Sequence, residues 1–350
     1  MAWSAFHRIA WRILLVLFVV SALIVCQRFL SLSGASAPPV LKHDADSSLS
    51  VFLCPPANCT ETLHNLIIHN RTWSYVRCAL YDLDDETIIS DLLSVSRNAS
   101  VEIVLDEGSP PIRELENAAT IRREHGRGLM HNKFCLFSAP DYKLLFTGSY
   151  NPTMNARKNW NVIAVSDSEE LFSQYLEEFN ELSGGTFHGG KPSKMAVVRL
   201  NNSIVFARFC PEDECEYWLA KSIESASRSV FFSVFSLTSK RVSAAILDAA
   251  LRNLSVKGFA EPFQSGRKLV ESLQRSGVDV SFLDTPGMLH AKLFIIDSRL
   301  IVTGSYNPTA SANEINDENL LFIESEELAG NIENLWNKSY STLTARSYSP

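Results

Sequence analysis

The sequence lacks a surplus of positive charge, because its 32 lysines and arginines are outnumbered by 39 aspartates and glutamates, for a formal net charge of −7 at pH 7. A chain with this balance does not hold nucleic acid through its overall field, so any attraction for anions has to be local. It also lacks the composition of a disordered chain, since 46% of the residues are hydrophobic and 20% are charged. The length of 350 residues predicts about two domains with ample core.

The sequence has few cysteines and no convincing cluster of carboxylates that would hold a metal. Four of the seven cysteines form two matching pairs, each with four residues between its members: Cys54, Cys59, Cys210 and Cys215. Neither pair has a second pair or a histidine at zinc-finger spacing, so no metal site is predicted. An oxidising compartment would permit a local disulfide in each pair. Cys78 and Cys135 lie in apolar runs and are predicted to be small core residues.

Long apolar runs are scarce, and the one that resembles a membrane segment lies near the N-terminus. Residues 9–27 are largely apolar, with Arg8 and Arg12 at their leading end. This pattern predicts a transmembrane signal-anchor that leaves the N-terminus in the cytosol and places the remainder outside it. The alternative is secretion after signal cleavage, because residues 35–37 read Ala-Ser-Ala. Residues 28–49, rich in Ser, Ala, Pro and Asp, are predicted to form a stalk.

The most informative feature of the sequence is an internal repeat. The string GSYNPT begins at Gly148 and again at Gly304, and the two cysteine pairs recur at the same interval. A His-x-Lys triplet recurs as well, beginning at His131 and at His290. Three ordered coincidences at nearly one interval indicate a tandem duplication of one structural unit.

Each copy of the repeat has the pattern of alternating helices and strands. The elements predicted by apolar periodicity are helices at 60–69, 86–94, 216–225 and 241–251, and strands at 75–80, 134–137, 144–146, 230–235, 293–296 and 300–302. Both motifs therefore lie at strand ends, where α/β sheets commonly place their chemistry. The predicted organisation is one lobe at 50–183, a linker and crossing segment at 184–205, and a second lobe at 206–345.

The repeated residues suit attack on a phosphodiester. Residues two apart on a strand point to the same face, so each His-x-Lys presents an imidazole beside an ammonium group. If the copies meet, one neutral imidazole can attack phosphorus while the other, protonated, protonates the leaving oxygen, and lysines with loop donors stabilise the developing charge. No metal or other cofactor is needed. The predicted catalytic set from the two copies is His131, Lys133, Ser149, Asn151, His290, Lys292, Ser305 and Asn307.

At these residues the chain resembles the phospholipase D superfamily, whose signature is His-x-Lys-x4-Asp followed by Gly-Ser-x-Asn. The second copy matches in full, from His290 to Asp297 and from Gly304 to Asn307, so the resemblance adds Asp297 to the catalytic set. Glu318 and Asn319 are similar to the acidic and Asn element of nuclease-like members, and are expected to support the site. In the first copy a three-residue insertion displaces the aspartate to Asp141, a second expected supporting residue.

The resemblance covers about residues 50–340 and implies the phospholipase D fold. This is an α/β fold with two pseudo-twofold-related lobes, each a mixed sheet flanked by helices, to which this chain adds the predicted N-terminal transmembrane helix. The resemblance implies that His131 is the nucleophile and His290 the acid, with the exchange of these roles left open. Because one chain carries both motifs, a monomer without an obligate protein partner is expected.

The resemblance leaves the substrate open. A tether to a membrane outside the cytosol favours phospholipid as partner, and hydrolysis of phospholipid headgroups through a phosphohistidine as the reaction. The alternatives are an endonuclease acting on nucleic acid, a phosphatidyltransferase similar to cardiolipin synthase, and an inactive ectodomain that binds phosphate or phospholipid. Arg122, Arg123 and Arg127 shortly precede His131 and are predicted to dock a phosphate-rich substrate.

Overall fold

The computed structural model describes residues 40–44, 46–68, 72–193, 196–283 and 287–347. The chain divides after Leu41, and the unit from Lys42 to Pro350 contains both copies of the repeat. The predicted signal-anchor and most of the predicted stalk lie outside the described residues. Within these ranges, no helix combines the length and the apolar character that crossing a membrane requires.

The first copy of the repeat folds into a seven-stranded mixed sheet. After β1 (Val40–His43), its strands are β2 (Leu49–Cys54), β3 (Tyr75–Leu80), β4 (Ser100–Leu105), β5 (Thr120–Arg123), β6 (Lys133–Ala139), β7 (Tyr142–Gly148) and β8 (Asn161–Ser166). Their order in the sheet is β2-β8-β7-β6-β3-β4-β5. The neighbours β3, β4 and β5 run parallel, and the other pairs run antiparallel.

The helices of the first copy cover this sheet. They are α1 (Cys59–Ile67), α2 (Glu86–Val95), α3 (Arg113–Glu116) and α4 (Glu169–Gly184), with a 3₁₀ turn at Asn155–Lys158. Helix α2 begins where the Asp85 carboxylate accepts hydrogen bonds from two backbone N–H groups of the first turn. Helix α4 begins at the Ser168 cap and ends at Gly185, whose φ of 90° is readily adopted by glycine.

The second copy repeats this arrangement in a nine-stranded sheet. Its strands are β9 (Ala196–Leu200), β10 (Ser203–Cys210), β11 (Ser229–Val234), β12 (Ser255–Ala260), β13 (Asp279–Phe282), β14 (Lys292–Ile296), β15 (Leu300–Gly304) and β16 (Glu318–Glu324), and its helices are α5 (Cys215–Glu224), α6 (Lys240–Leu251), α7 (Arg267–Arg275), α8 (Ala310–Glu314) and α9 (Glu326–Ser347). The sheet order is β1-β9-β10-β16-β15-β14-β11-β12-β13. From β10 onwards this is the order of the first sheet, as a tandem duplication predicts. Strand β9 lies within 184–205, so part of the predicted linker extends the second sheet.

The two copies share one apolar core. Buried side chains of β6 and β14, among them Phe134 and Leu293, belong to the same cluster as those of α4 and α9. Helix α4 of the first copy contacts β10 of the second, and α9 of the second copy contacts β2 of the first. This exchange of helices brings together the strand ends that carry the two His-x-Lys motifs. The predicted architecture of two mixed sheets flanked by helices is confirmed.

Disulfides occur within each copy. The structure joins Cys54 to Cys59 and Cys210 to Cys215, the pairs that the sequence indicates. It also joins Cys78 to Cys135, which corrects the prediction that these two are only small core residues. They lie directly opposite each other on the antiparallel strands β3 and β6, with 4.1 Å between their Cα atoms. Sequence spacing does not reveal this pair, because it depends on the register of two distant strands.

Removing the Cys78–Cys135 bridge is expected to cost more stability than removing a local one. The sequence separation is 57 residues, against 5 for Cys54 and Cys59. Constraint of the unfolded chain then predicts a loss of about 4 kcal/mol for Cys78→Ala/Cys135→Ala and about 2 kcal/mol for Cys54→Ala/Cys59→Ala. Denaturant unfolding under non-reducing conditions measures both, and equal losses would contradict the loop-length argument.

Candidate active site

One cavity lies where the two copies meet, and residues of both copies line it. Its volume is about 470 Å³. Of the residues predicted from the sequence, five line it: His131, Asn151, His290, Asn307 and Glu318. His131 lies two residues before Lys133, the first residue of β6, and His290 stands in the same position before β14. The structure thus brings the two histidines to one site.

Backbone contacts across the copies hold each histidine in place. Met130 pairs with Asp317, and Leu289 pairs with Trp160, as isolated parallel bridges. The His131 N–H donates to the Asp317 carbonyl at 2.9 Å, and the His290 N–H donates to the Trp160 carbonyl at 2.8 Å. Each histidine is therefore fixed by backbone pairing to the other copy. His131 is fixed at the start of β16, and His290 is fixed at the start of β8.

His131 is held by a carboxylate from the second copy. Its Nδ1 lies 2.8 Å from Oε2 of Glu318, and the Ser305 hydroxyl donates to the same oxygen at 2.6 Å. With Nδ1 as the donor, the neutral ring keeps the lone pair of its other nitrogen, Nε2. Ser305, from the second GSYN loop, therefore acts on His131 through Glu318.

His290 has the corresponding arrangement, but the partners of its Nδ1 are neutral, while its Nε2 lies 3.2 Å from Nζ of Lys292. Its Nδ1 lies 3.0 Å from the Ser149 carbonyl and 3.1 Å from Oδ1 of Asn161, to which the Ser149 hydroxyl also donates. Asn161 pairs with Cys54 on β2 as Glu318 pairs with Cys210 on β10, so the two occupy equivalent positions. The two histidines are therefore not equivalent, because one meets a carboxylate and the other an amide.

Both lysines are fully buried beside their histidines. Nζ of Lys133 donates to the His131 carbonyl at 2.5 Å, and Nζ of Lys292 donates to the His290 carbonyl at 2.8 Å. Each ammonium group also lies over an aromatic ring, Lys133 over Tyr81 at 4.9 Å and Lys292 over Phe235 at 5.0 Å. Tyr81 and Phe235 in turn contact His131 and His290 edge to face, each with 4.8 Å between ring centroids.

Burial and like charge determine the protonation of this cluster. Burial lowers the pKa of Lys133 to about 7 and that of Lys292 well below its usual value. Burial, followed by the charges of the two lysines, lowers the pKa of both histidines well below 6.5. Burial raises the pKa of Glu318 to about 8, while the charges of both lysines, and any positive charge that His131 acquires 2.8 Å away, favour its ionised form. An anion in the cavity would relieve the repulsion among these cationic groups.

The GSYN loops need glycine and present two asparagines to the cavity. Gly148 has φ of 147°, and a Cβ there would lie 2.2 Å from the Val162 carbonyl oxygen; Gly304 makes the equivalent approach to Asn319. Asn151 and Asn307 line the cavity, and each has an amide oxygen without a hydrogen-bond partner among the described residues. Their amides are therefore available to a ligand.

Asn319 lies behind the histidines and joins the two copies. Its Nδ2 donates to Oδ1 of Asn132 at 2.7 Å, and its Oδ1 accepts from the Thr147 hydroxyl at 3.1 Å. Asn132 donates in turn to Glu178 at 3.1 Å. Asn319 does not line the cavity, so the structure gives it a positioning role between the copies.

The signature aspartate lies away from the cavity. Asp297 follows the end of β14 opposite to His290, and its carboxylate accepts from the backbone N–H groups of Ser227, Arg228 and Ser229. It therefore holds the turn after β14 against the start of β11, which corrects its assignment to the catalytic set. Asp141 is exposed in the turn between β6 and β7 and is likewise outside the cavity.

The arginines predicted to dock substrate do not line the cavity either. Arg123 donates to the Ser109 carbonyl at 2.7 Å and pairs with Glu116, so it secures a loop. Arg122 lies close to Gly185. A Cβ atom on that glycine would be 3.0 Å from the guanidinium of Arg122. Arg127 is exposed. The basic stretch before His131 is thus an edge strand and a loop, which sequence order alone does not place.

Sequence reasoning missed three residues of the site. Tyr81 and Phe235 each directly follow a strand and line the cavity. Phe235 was instead predicted to be the last residue of the apolar strand at 230–235. Asn161 was missed because the repeat interval differs at this position. The separation between Asn161 and its counterpart Glu318 is one residue longer than the separation between the two GSYN loops. Aligning the last strands of the two copies would have found it.

No group of three His, Cys, Asp or Glu side chains suited to a metal ion occurs in the described part of the chain.

Comparisons with known proteins agree with the duplicated site. A family model described as "Cardiolipin synthase, PLD-like domain" matches residues 67–183 and 219–339, one match in each copy. A protein of Rickettsia bellii named phospholipase D is 32% identical over 142 residues, which are 40% of this chain and 71% of that protein. A mitochondrial cardiolipin hydrolase of Chlamydomonas reinhardtii is 25% identical over 139 residues, 37% of this chain and 62% of that protein.

A solved structure matches over most of the length. The crystal structure of phosphatidylserine synthase from Haemophilus influenzae aligns with a TM-score of 0.63 and covers 83% of this chain and 85% of that one. The sequence identity is 14%, so this likeness concerns the fold alone.

Proposed function

Because the chain belongs to the phospholipase D superfamily, we propose that it is a metal-independent phosphodiesterase that hydrolyses phospholipid headgroups through a phosphohistidine. The observation that carries the proposal is the single cavity in which His131 and His290 meet, backed by two buried lysines. Two imidazoles with different partners supply a nucleophile and an acid.

In the first step, Nε2 of His131 attacks phosphorus and the bond from phosphorus to the leaving oxygen breaks. His290 gives a proton to that oxygen, so the alcohol leaves neutral. In the second step, His290 accepts a proton from water, the water oxygen attacks phosphorus, and the phosphorus–nitrogen bond breaks. Lys133, Lys292 and the side-chain N–H groups of Asn151 and Asn307 donate to the non-bridging oxygens and stabilise them.

The partners of the histidines favour this assignment of roles. Glu318 stabilises the positive charge that His131 acquires as its Nε2 bonds to phosphorus. His290 has only neutral acceptors on Nδ1, so its imidazolium is less stabilised and gives up its proton more readily. Acid catalysis requires that proton, although burial, followed by the charges of Lys292 and Lys133, lowers the pKa of His290. The negative charge of a bound diester opposes this effect.

Phospholipid fits the charges of the site better than nucleic acid does. A polynucleotide brings a phosphate at every nucleotide, whereas most phospholipids present one phosphodiester. The cavity wall includes the carboxylate of Asp82, which disfavours neighbouring phosphates. Arg122 and Arg123, which were predicted to dock phosphates, do not line the cavity. The Rickettsia bellii relative named phospholipase D supports the same choice.

The test is to incubate the full chain in EDTA with phosphatidylcholine vesicles, with and without ethanol, and separately with single-stranded DNA and RNA. Headgroup release that is lost in His131→Asn would support the proposal. The matched control is His125→Asn, an equivalent change at an exposed histidine. Phosphatidylethanol without phosphatidic acid would indicate a transferase, and cleavage of nucleic acid alone a nuclease. No turnover would favour an inactive binding ectodomain.

The rate constant kcat/KM is expected to show an alkaline limb, falling as pH rises through 7. The pKa of Lys133 is lowered to about 7 and that of the acid, His290, well below 6.5, so the charge that attracts the diester and the proton that the leaving oxygen needs are both lost with rising pH. The pKa of His131 is well below 6.5, so the nucleophile stays neutral and the acid limb lies below pH 6.5. Because kcat/KM reports the free enzyme, the limb should lie at higher pH in kcat, where bound phosphate stabilises the ammonium charge. A flat kcat/KM between pH 6.5 and 9 would contradict this.

A further inference from the structure

Large apolar side chains are exposed around the mouth of the cavity. Five of them lie on its wall or one residue away from it along the chain: Leu129, Met154, Phe263, Met288 and Ile315. Phe263 is 84% exposed, the largest value among the exposed large apolar side chains of the described residues. We call these five residues the apolar rim.

Two members of the rim occupy equivalent positions in the two copies. Leu129 and Met288 each lie two residues before the histidine of their copy, and both line the cavity. The Leu129 N–H donates to Oδ1 of Asn316 at 3.2 Å, and the Met288 N–H donates to Oδ1 of Asn159 at 3.1 Å. An asparagine of the opposite copy thus fixes each apolar residue at the mouth.

The other three rim residues come from separate segments. Ile315 directly precedes Asn316, and its carbonyl packs so closely on Gly128 that a Cβ there would lie 1.8 Å from it. Met154 stands between two residues of the cavity wall, and Phe263 directly precedes a third, Gln264. The rim therefore surrounds an opening rather than forming one flat patch.

The placement of the rim favours a bilayer over a second copy of the chain or a nucleic acid. A second copy seated on the rim would close the cavity and shut substrate out. Single-stranded nucleic acid is held by aromatic stacking and a basic groove, whereas four of the five rim side chains are aliphatic or thioether. Exposed Arg127 and Lys158 lie within two residues of Leu129 and Asn159, and are suited to anionic headgroups.

We propose that the apolar rim inserts into the surface of a phospholipid bilayer, so that the cavity covers one headgroup at a time. This proposal rests on the proposed function. It adds that the phospholipid is bound while it is part of a bilayer. Apolar side chains enter the boundary between headgroups and acyl chains, and the phosphodiester then lies at the depth of the two histidines.

A label on the rim tests the insertion directly. The full chain carrying Cys26→Ser, with Phe263→Cys labelled by an environment-sensitive fluorophore, is reconstituted into vesicles of phosphatidylcholine and phosphatidylglycerol. The label is expected to be quenched by brominated acyl chains. The matched control is a label at Leu251→Cys, which is 71% exposed at the end of α6, away from the cavity. Equal quenching at both positions, or none at position 263, would overturn the proposal.

Turnover provides the second measurement. Phe263→Ser/Ile315→Ser, at positions outside the cavity wall, is expected to lower headgroup release from vesicles by about tenfold or more. Hydrolysis of soluble bis(p-nitrophenyl) phosphate should be unchanged, and the control Leu251→Ser should change neither rate. An equal loss on both substrates, or none on vesicles, would overturn the role of the rim. Quenching at position 263 in a chain that hydrolyses no lipid would support the rim and count against the proposed function alone.

Discussion

His131→Asn is expected to abolish formation of the covalent intermediate, lowering kcat by roughly 10⁴-fold or more, because the asparagine amide offers no nucleophilic nitrogen in place of Nε2. His290→Asn removes the proton donor and should cost roughly 10²- to 10⁴-fold on a substrate with an alkoxide leaving group. Both variants should lose most turnover of phospholipid, so turnover alone does not separate the roles.

A substrate that needs no acid separates them. p-Nitrophenolate leaves without a proton, so His290→Asn should release a burst of it from bis(p-nitrophenyl) phosphate and then stall. The second step also needs His290, as the base that activates water, and the adduct should therefore accumulate. Mass spectrometry after rapid quenching is expected to find it on the peptide that contains His131. An adduct on His290 in the His131→Asn variant would show that the roles are exchanged.

Local patterns predicted the elements that form the site. The strand predicted at 75–80 is β3, and the helix predicted at 86–94 is α2 with one more residue at its end. These segments have the apolar periodicity and the caps that determine structure locally. The repeat predicted that the two copies form one site, because two matching motifs at strand ends indicate a shared site even before the sheets are known.

Partners across the two copies could not be predicted in the same way. The bond of His131 to Glu318 joins residues 187 positions apart and depends on how the lobes dock. The disulfide between Cys78 and Cys135 depends on strand register. For Asp297 the sequence predicted too much. Its place in the family signature implied a catalytic role, whereas its carboxylate accepts hydrogen bonds from the backbone N–H groups at the start of β11. A motif gives residue types and spacing, and the fold decides which members reach the cavity.

Glu318→Gln is expected to slow formation of the adduct on His131 by up to about 10⁴-fold, the loss found when the carboxylate behind the catalytic histidine of a serine protease is changed to an amide. Glutamine keeps an oxygen near Nδ1, so the ring keeps a partner. It lacks the negative charge that stabilises His131 as its Nε2 bonds to phosphorus, and the Ser305 hydroxyl no longer donates to a carboxylate. The loss should therefore appear in the rate of the p-nitrophenolate burst rather than in binding of the diester.

Glu178→Gln provides the matched control, because Glu178 is also a buried glutamate that accepts a hydrogen bond near the site, from Asn132 at 3.1 Å. Among the described residues Glu178 forms no hydrogen bond to either histidine, and glutamine keeps an oxygen that can accept from Asn132. Its burst should match that of the unmodified chain. If both variants slowed the burst equally, the effect would belong to packing of the lobes. If Glu318→Gln left the burst unchanged, the carboxylate would not distinguish His131 from His290, and the difference between the histidines would have to arise from another contact.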